Sequence, residues 1–252
     1  MTVLVTGATG TVGRHVVQHL LRRGARVRAL TRDPARAALP AGVEVVAGDL
    51  TDLATLRPAV DGVTAVHLIT FGGDYRPLAN GRELVDLIAA AGVRKAVVLG
   101  GWQEGVLEPA VRQSALEWTM LNPVQFMANF LTDWAGPLRT RGVVREPFGD
   151  RKSPPIHEED IGEVAAAVLT GDGHGGRSYH LTGPEVLTPR LMIRALAEAT
   201  RRAPSPGGRP STRATSGADL RRRVTAPCAS PRAPSPWPRR RRGPGCRAAR
   251  RC

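Results

Sequence analysis

The feature that most constrains this chain is a seven-residue turn near its start, Gly7-Ala8-Thr9-Gly10-Thr11-Val12-Gly13. An apolar run, Thr2–Thr6, precedes it. Val12, Val16, Val17, Leu20 and Leu21 follow at helical spacing, up to Gly24. A glycine triplet is common in turns, but between a first strand and a first helix it has a specific physical use. Gly7 permits the tight turn, Gly10 lets backbone approach a pyrophosphate, and Gly13 lets the helix pack closely on the strand. The helix start then offers free N–H groups and a positive dipole end to phosphate. The turn predicts a dinucleotide cradle built by Gly7, Thr9, Gly10, Thr11, Val12 and Gly13. The bland alternative is a glycine turn with no ligand.

The rest of the body alternates in the same way. Apolar runs at Arg26–Thr31, Val43–Val46, Ala65–Ile69, Lys95–Leu99, Thr119–Leu121 and Ser178–Leu181 read as strands. Helical patterns fall around Leu53–Val60, at Leu84, Val85, Ile88 and Ala89, near Pro109–Leu116, and at Ile161, Val164, Ala165, Val168 and Leu169. Thr188-Pro189 opens a last helix, with Thr as cap and Pro in its first turn. Strands alternating with helices imply a parallel sheet covered on both faces. The expected fold is α/β, a doubly wound Rossmann-like sheet over residues 1–200 with a small C-terminal substrate-side portion.

Charge would suggest a different partner if the chain were taken whole, since its formal net charge is +14. Residues 201–252 hold 15 Arg and one acid, Asp219, which leaves 21 basic and 21 acidic residues in the body. The basicity therefore belongs to the tail. That segment is mostly Arg, Pro, Ala, Ser and Gly, with a single Leu, and it reads as disordered because it cannot bury enough apolar surface. It fits a basic arm held by phosphates, a neutral extension, or an out-of-frame translation of GC-rich coding sequence. The abrupt change at Arg201 favours the third. Nucleic acid is then expected only as a partner of the tail. All three cysteines lie there too, so the body has no disulfide or thiolate metal site. No signal region and no membrane-spanning apolar run is present, and a cytoplasmic protein without a membrane partner is expected.

The second cofactor signal lies at the end of the second strand. An NAD site usually places an acid there, for the ribose 2′-hydroxyl. This chain has Thr31-Arg32-Asp33, and Arg32 offers a permanently charged fork suited to a 2′-phosphate. NADP is expected ahead of NAD. Asp49-Leu50, after the third strand, lies either along the adenine edge or in the cap of the next helix.

These residues resemble the NmrA-like atypical short-chain dehydrogenase/reductases. The likeness rests on Val5 to Gly13, on Ala29-Leu30-Thr31-Arg32-Asp33-Pro34, and on Gly48-Asp49-Leu50-Thr51-Asp52. Trp118-Thr119-Met120-Leu121-Asn122-Pro123, Phe126-Met127-Ala128-Asn129 and Leu181-Thr182-Gly183-Pro184 continue it to about residue 200. The resemblance implies an NAD(P)-binding fold. Its members include NADPH-dependent quinone or azo-dye reductases, phenylpropanoid reductases, and regulators without turnover.

Short-chain dehydrogenases typically carry Tyr-x-x-x-Lys, but here Ala79 lies four residues beyond Tyr75 and Gly183 four beyond Tyr179. The lysines are Lys95 and Lys152, and Gly100-Gly101 stand where the family's serine usually lies. This argues against alcohol dehydrogenation, which needs a positioned acid/base. Hydride transfer to a quinone-like, aromatic or azo acceptor asks mainly for positioning. Ligands bind outside the carboxyl ends of strands. Thr70 is therefore nominated beside the cofactor, and Phe71, Asn122, Pro123, Phe126 and Asn129 for a small-molecule acceptor. Asn122 is commonly Arg in relatives, and Phe126 and Met127 equally suit core packing. His15 and His19 have metal-ligand spacing but no third ligand nearby, so a solvated helix face is expected. His157-Glu158-Glu159-Asp160 reads as helix capping. The competing functions are an NADP sensor without turnover and a nucleic-acid-associated protein acting through the tail.

Overall fold

A computed structural model of the chain describes residues 1–199, apart from residues 74, 102 and 147. The expected disorder of 201–252 lies outside the described residues. Among the described residues seven strands are present: β1 (Thr2–Val5), β2 (Arg26–Thr31), β3 (Glu44–Ala47), β4 (Ala65–Ile69), β5 (Lys95–Leu99), β6 (Glu117–Pro123) and β7 (Arg177–Leu181). They alternate with α1 (Gly13–Arg22), α2 (Leu53–Val60), α3 (Gly81–Ala90), α4 (Leu107–Gln113), α5 (Met127–Arg141), α6 (Glu158–Thr170) and α7 (Pro189–Ala199). Every strand pair is parallel, and the order is β3-β2-β1-β4-β5-β6-β7.

That order follows from the crossovers. The chain winds outward from β1 to β3, returns to place β4 beside β1, and winds outward again the other way. The reversal between β1 and β4 makes the carboxyl ends of those two strands the switch point at which this architecture binds ligands. The glycine turn leaves β1 on one side of it, and Thr70 leaves β4 on the other.

The strand sequences are apolar throughout because both faces are buried. Leu4, Val66, Leu68, Ala96, Val98 and Met120 pack with α2, α3 and α4 on one face. Val3, Val5, Ala65, Val97 and Leu121 pack with α1 and α6 on the other. Successive residues thus feed opposite cores, as a two-residue side-chain period requires. A third, small core joins α5 to α7 through Trp134, Met192 and Ile193, with Phe130, Leu138 and Leu196 packed against it.

The sequence reading omitted α5. Phe130, Trp134 and Leu138 are spaced as one helical stripe, but only Trp134 among the helix's residues is buried, and Gly136-Pro137 interrupts the pattern. A stripe that narrow carries little periodicity. Among the described residues no helix is long and apolar enough to cross a membrane.

Candidate active site

The glycine turn has the geometry its sequence demands. Gly7 has φ +62°, a left-handed conformation that suits glycine. The Gly10 N–H donates to the Gly7 carbonyl at 2.9 Å and closes the turn. A Cβ on Gly13 would collide with that same carbonyl oxygen. Only glycine there lets α1 begin so close to β1. Thr9 and Gly10 are exposed, so their backbone is open to a ligand, whereas Val12 is buried.

The start of α1 is chemically bare. Its N-cap is Val12, which has no side-chain acceptor, and its first turn holds no acid. Two other helices supply their own partners. Asp52 accepts from the Ala54 N–H at the start of α2, and His157 Nδ1 accepts from the Glu159 N–H at the start of α6. An uncapped helix start with an accessible glycine turn is an anion site. Arg14 adds a cation in the first turn, its Nε donating to the Thr11 carbonyl at 3.4 Å. The sequence reading missed Arg14, although its place directly after Gly13 was the available signal.

Arg32 is exposed at the end of β2, and its guanidinium lies across Gly73 in the loop after β4, filling the space a side chain there would need. Its charge also reaches Asp49. The Asp49 carboxylate accepts from the Thr51 N–H at 2.9 Å and from the Thr51 hydroxyl at 2.8 Å. Those bonds, with a smaller contribution from the Arg32 cation, hold its pKa below the usual carboxylate range. Asp49 is therefore ionised and shapes a local turn, while Asp52 caps α2. Leu50 is buried in the core, so its backbone is what faces outward, and the Asn80 amide donates to the Leu50 carbonyl at 2.8 Å. Asn80 thus ties α3 to the loop after β3, a link with no sequence signature.

The nominated acceptor residues divide into two groups. Ile69, Leu99 and Leu121 are register partners, so Thr70, Gly100 and Asn122 stand in one row across β4, β5 and β6. The Thr70 hydroxyl is buried without a hydrogen-bond partner. A Cβ on Gly101 would run into the Phe71 ring and lie 3.4 Å from Thr70 Oγ1. A Cβ on Gly100 would lie 2.6 Å from Asn122 Oδ1. The absence of side chains at the two glycines is therefore what lets the Asn122 carboxamide and the Phe71 ring lie over them. Pro123 ends β6 half-buried. Phe126 packs against the core under α1 and α6, as its bland reading had it, and Asn129 is exposed in the first turn of α5.

One expectation is corrected. His15 and His19 do not line a solvated face, because α6 packs across α1 there. Gly162 leaves no room for a Cβ, which would lie 2.5 Å from His15 Cβ. His19 is 8 % exposed and lies 3.7 Å from the Glu159 carboxylate. The sequence could not show which helix would cover α1. No group of three potential metal ligands occurs among the described residues. The capping expectation for 157–160 holds, and it extends further: the buried Glu158 carboxylate accepts from the Ala128 N–H at the start of α5.

Residues 1–99 match the model of the NmrA-like family. A (4-alkanoyl-5-oxo-2,5-dihydrofuran-3-yl)methyl phosphate reductase of Streptomyces griseus subsp. griseus is 40% identical over 211 residues, spanning 77% of this chain and 72% of the relative. The chain belongs to the NmrA-like family of Rossmann-fold oxidoreductases. An NAD(P)H azoreductase of Xenophilus azovorans is 34% identical over 220 residues, covering 79% of this chain and 74% of that protein. The fold likewise matches an Escherichia coli NADPH-dependent quinone oxidoreductase solved with NADPH. The TM-score is 0.72 at 26% identity, over 86% of this chain and 80% of the other. In this NmrA-like chain Lys95 stands at the amino end of β5, the far end of that strand from Gly100, and donates to the Gly171 carbonyl. The Tyr179 hydroxyl is 2.8 Å from His174 Nδ1.

Proposed function

We propose that the chain reduces a small planar acceptor, quinone-like, azo or unsaturated carbonyl, with NADPH and without a Tyr-x-x-x-Lys pair. The observation that carries this is the bare start of α1 over the Gly7–Gly13 turn. It is the one described site where backbone donors, a helix dipole and the Arg14 cation converge without an acid. NADPH bound there supplies a hydride. Gly7, Thr9, Gly10, Thr11, Val12 and Gly13 hold its pyrophosphate, Arg32 takes the 2′-phosphate, and the Asp49-Leu50 backbone borders the adenine. The unpartnered Thr70 hydroxyl gives the reactive end of the cofactor polar company.

The protein's share of the chemistry is placement. Phe71 and Pro123 offer flat, apolar surfaces at the carboxyl ends of β4 and β6, suited to a planar acceptor. Lys95 and Tyr179 are engaged elsewhere, so the closing proton comes from water, which an electron-poor acceptor tolerates. The activities for which the relatives are named, on a phosphorylated furanone, azo compounds and quinones, are consistent with acceptors of this kind. The test follows NADPH oxidation at 340 nm with a panel of quinones, azo dyes and unsaturated lactones. Turnover with at least one class, abolished when Gly13 is replaced by valine, is expected. Tight NADPH binding with no turnover on any acceptor would favour the sensor reading instead.

A further inference from the structure

Gly73, in the loop after β4, is exposed, and its φ lies outside the left-handed region, so its φ does not demand glycine. A Cβ there would nonetheless collide with Arg32 Nη1 and lie 2.6 Å from Arg32 Cζ and 3.2 Å from Nη2. Nothing else comes as near. The missing side chain therefore makes room for one group, the Arg32 guanidinium. The loop that offers this seat is closed on itself. The Gly72 N–H donates to the Arg76 carbonyl at 2.9 Å, and the Tyr75 N–H donates to the Gly72 carbonyl at 3.1 Å. Phe71 and Pro77 pair as an antiparallel bridge at its base.

The place of the seat matters as much as its shape. β2 and β4 flank β1 in the sheet, so the Arg32–Gly73 contact joins the segments on either side of the strand that leads into the glycine turn. The guanidinium held there makes no hydrogen bond or ion pair among the described residues. Asp49, whose charge it feels, accepts from Thr51 rather than from Arg32. A guanidinium carries five N–H donors in a planar fork, and here they are left for a ligand.

We propose that Gly73 is a positioning residue that sets the preference for NADPH, by seating the Arg32 guanidinium beside the glycine turn with its donors free for the 2′-phosphate. This rests on the reading that Arg32 takes that phosphate, and it adds the reason why Arg32 is ready to do so. A long side chain that swings in solvent must give up its rotamer freedom when a ligand orders it. One already seated gives up less, and the difference appears as affinity. A cofactor without the 2′-phosphate gains nothing from the seat. The same position thus acts on one cofactor and not on the other, although Gly73 need touch neither.

The experiment is calorimetric titration of the full chain, Gly73→Ala, Arg32→Ala and the double variant with NADPH and NADH. Adenosine 2′,5′-bisphosphate and 5′-AMP serve as smaller probes of the phosphate itself. Alanine adds the one carbon that collides with the guanidinium, and the atoms it displaces end a flexible side chain, so the melting temperature should not move. Gly73→Ala should weaken NADPH and the bisphosphate by roughly 3- to 10-fold, the loss expected when one long side chain has to be ordered on binding. NADH and 5′-AMP should stay within about twofold. In the Arg32→Ala background the alanine at 73 should change nothing further, because it acts through Arg32 alone. NADPH affinity that is unchanged or higher in Gly73→Ala, while Arg32→Ala weakens it, would overturn the seat and leave the 2′-phosphate reading standing. Equal weakening of both cofactors by Gly73→Ala would also overturn the seat, since the loop would then serve the shared part of the nucleotide. An NADPH-to-NADH ratio that Arg32→Ala leaves unchanged would refute the 2′-phosphate reading itself and the seat with it.

Discussion

His67 shows how much a single residue can set. It lies on β4, fully buried, between Val5 of β1 and Val97 of β5. Neither ring nitrogen has a hydrogen-bond partner. Burial penalises the charged ring and pushes its pKa from 6.5 down to about 4. The unfolded chain therefore takes up a proton first as pH falls. Stability associated with this group is intact above about 6.5 and is lost progressively as pH drops toward 4. Between pH 7 and pH 5 the loss is about 2 kcal/mol at one pKa unit per 1.36 kcal/mol. Urea unfolding at the two pH values should show it, and His67→Leu should remove most of that difference. An equal pH dependence in the variant would mean other groups set the acid limit. Nothing in the local pattern pointed to this, because a histidine in an apolar strand is equally compatible with a paired ring.

Elements meet here through missing side chains and shared caps. Gly162→Ala would drive a methyl group into His15 and the α1 backbone. Overpacking of that kind costs about 1–3 kcal/mol. Urea midpoints should fall accordingly, while a variant as stable as wild type would mean α1 and α6 slide apart freely. Glu158→Gln should cost about 1–2 kcal/mol, since a charged acceptor on the Ala128 N–H becomes a neutral one. The check is whether that loss appears without a change in NADPH affinity. The strands and the glycine turn were legible because each is local: β2, β4, β5 and α2 fall where their apolar periods end. What was illegible depends on partners distant in sequence. Register alone brings Thr70, Gly100 and Asn122 into one row, and only the packing of α6 on α1 turns His15 and His19 inward. Arg32 was legible as a cation at the end of β2, but its rest on Gly73 was not.

At the scale of the whole molecule, the cores formed among the described residues run from Val3 to Leu196. We propose that residues 1–200 form the dinucleotide-binding domain and that 201–252 are a separate basic appendage. A chain ending at Arg202 should then keep its NADPH affinity and a melting temperature within about 4 °C, the shift expected of less than about 1 kcal/mol. Any salt-dependent DNA binding of the full chain should vanish with the appendage. A large fall in stability on truncation would show that the fold depends on it. The account as a whole stands on the claim that the switch point between β1 and β4 takes NADPH through the glycine turn and Arg32. Calorimetric titration of the full chain and of Arg32→Ala with NADPH and NADH tests it directly. The predicted result is tight NADPH binding that weakens roughly 10- to 100-fold in the variant, as loss of a charged hydrogen bond implies, with NADH affinity little changed. Equal weakening of both cofactors, or no binding of either to the wild-type chain, would contradict it.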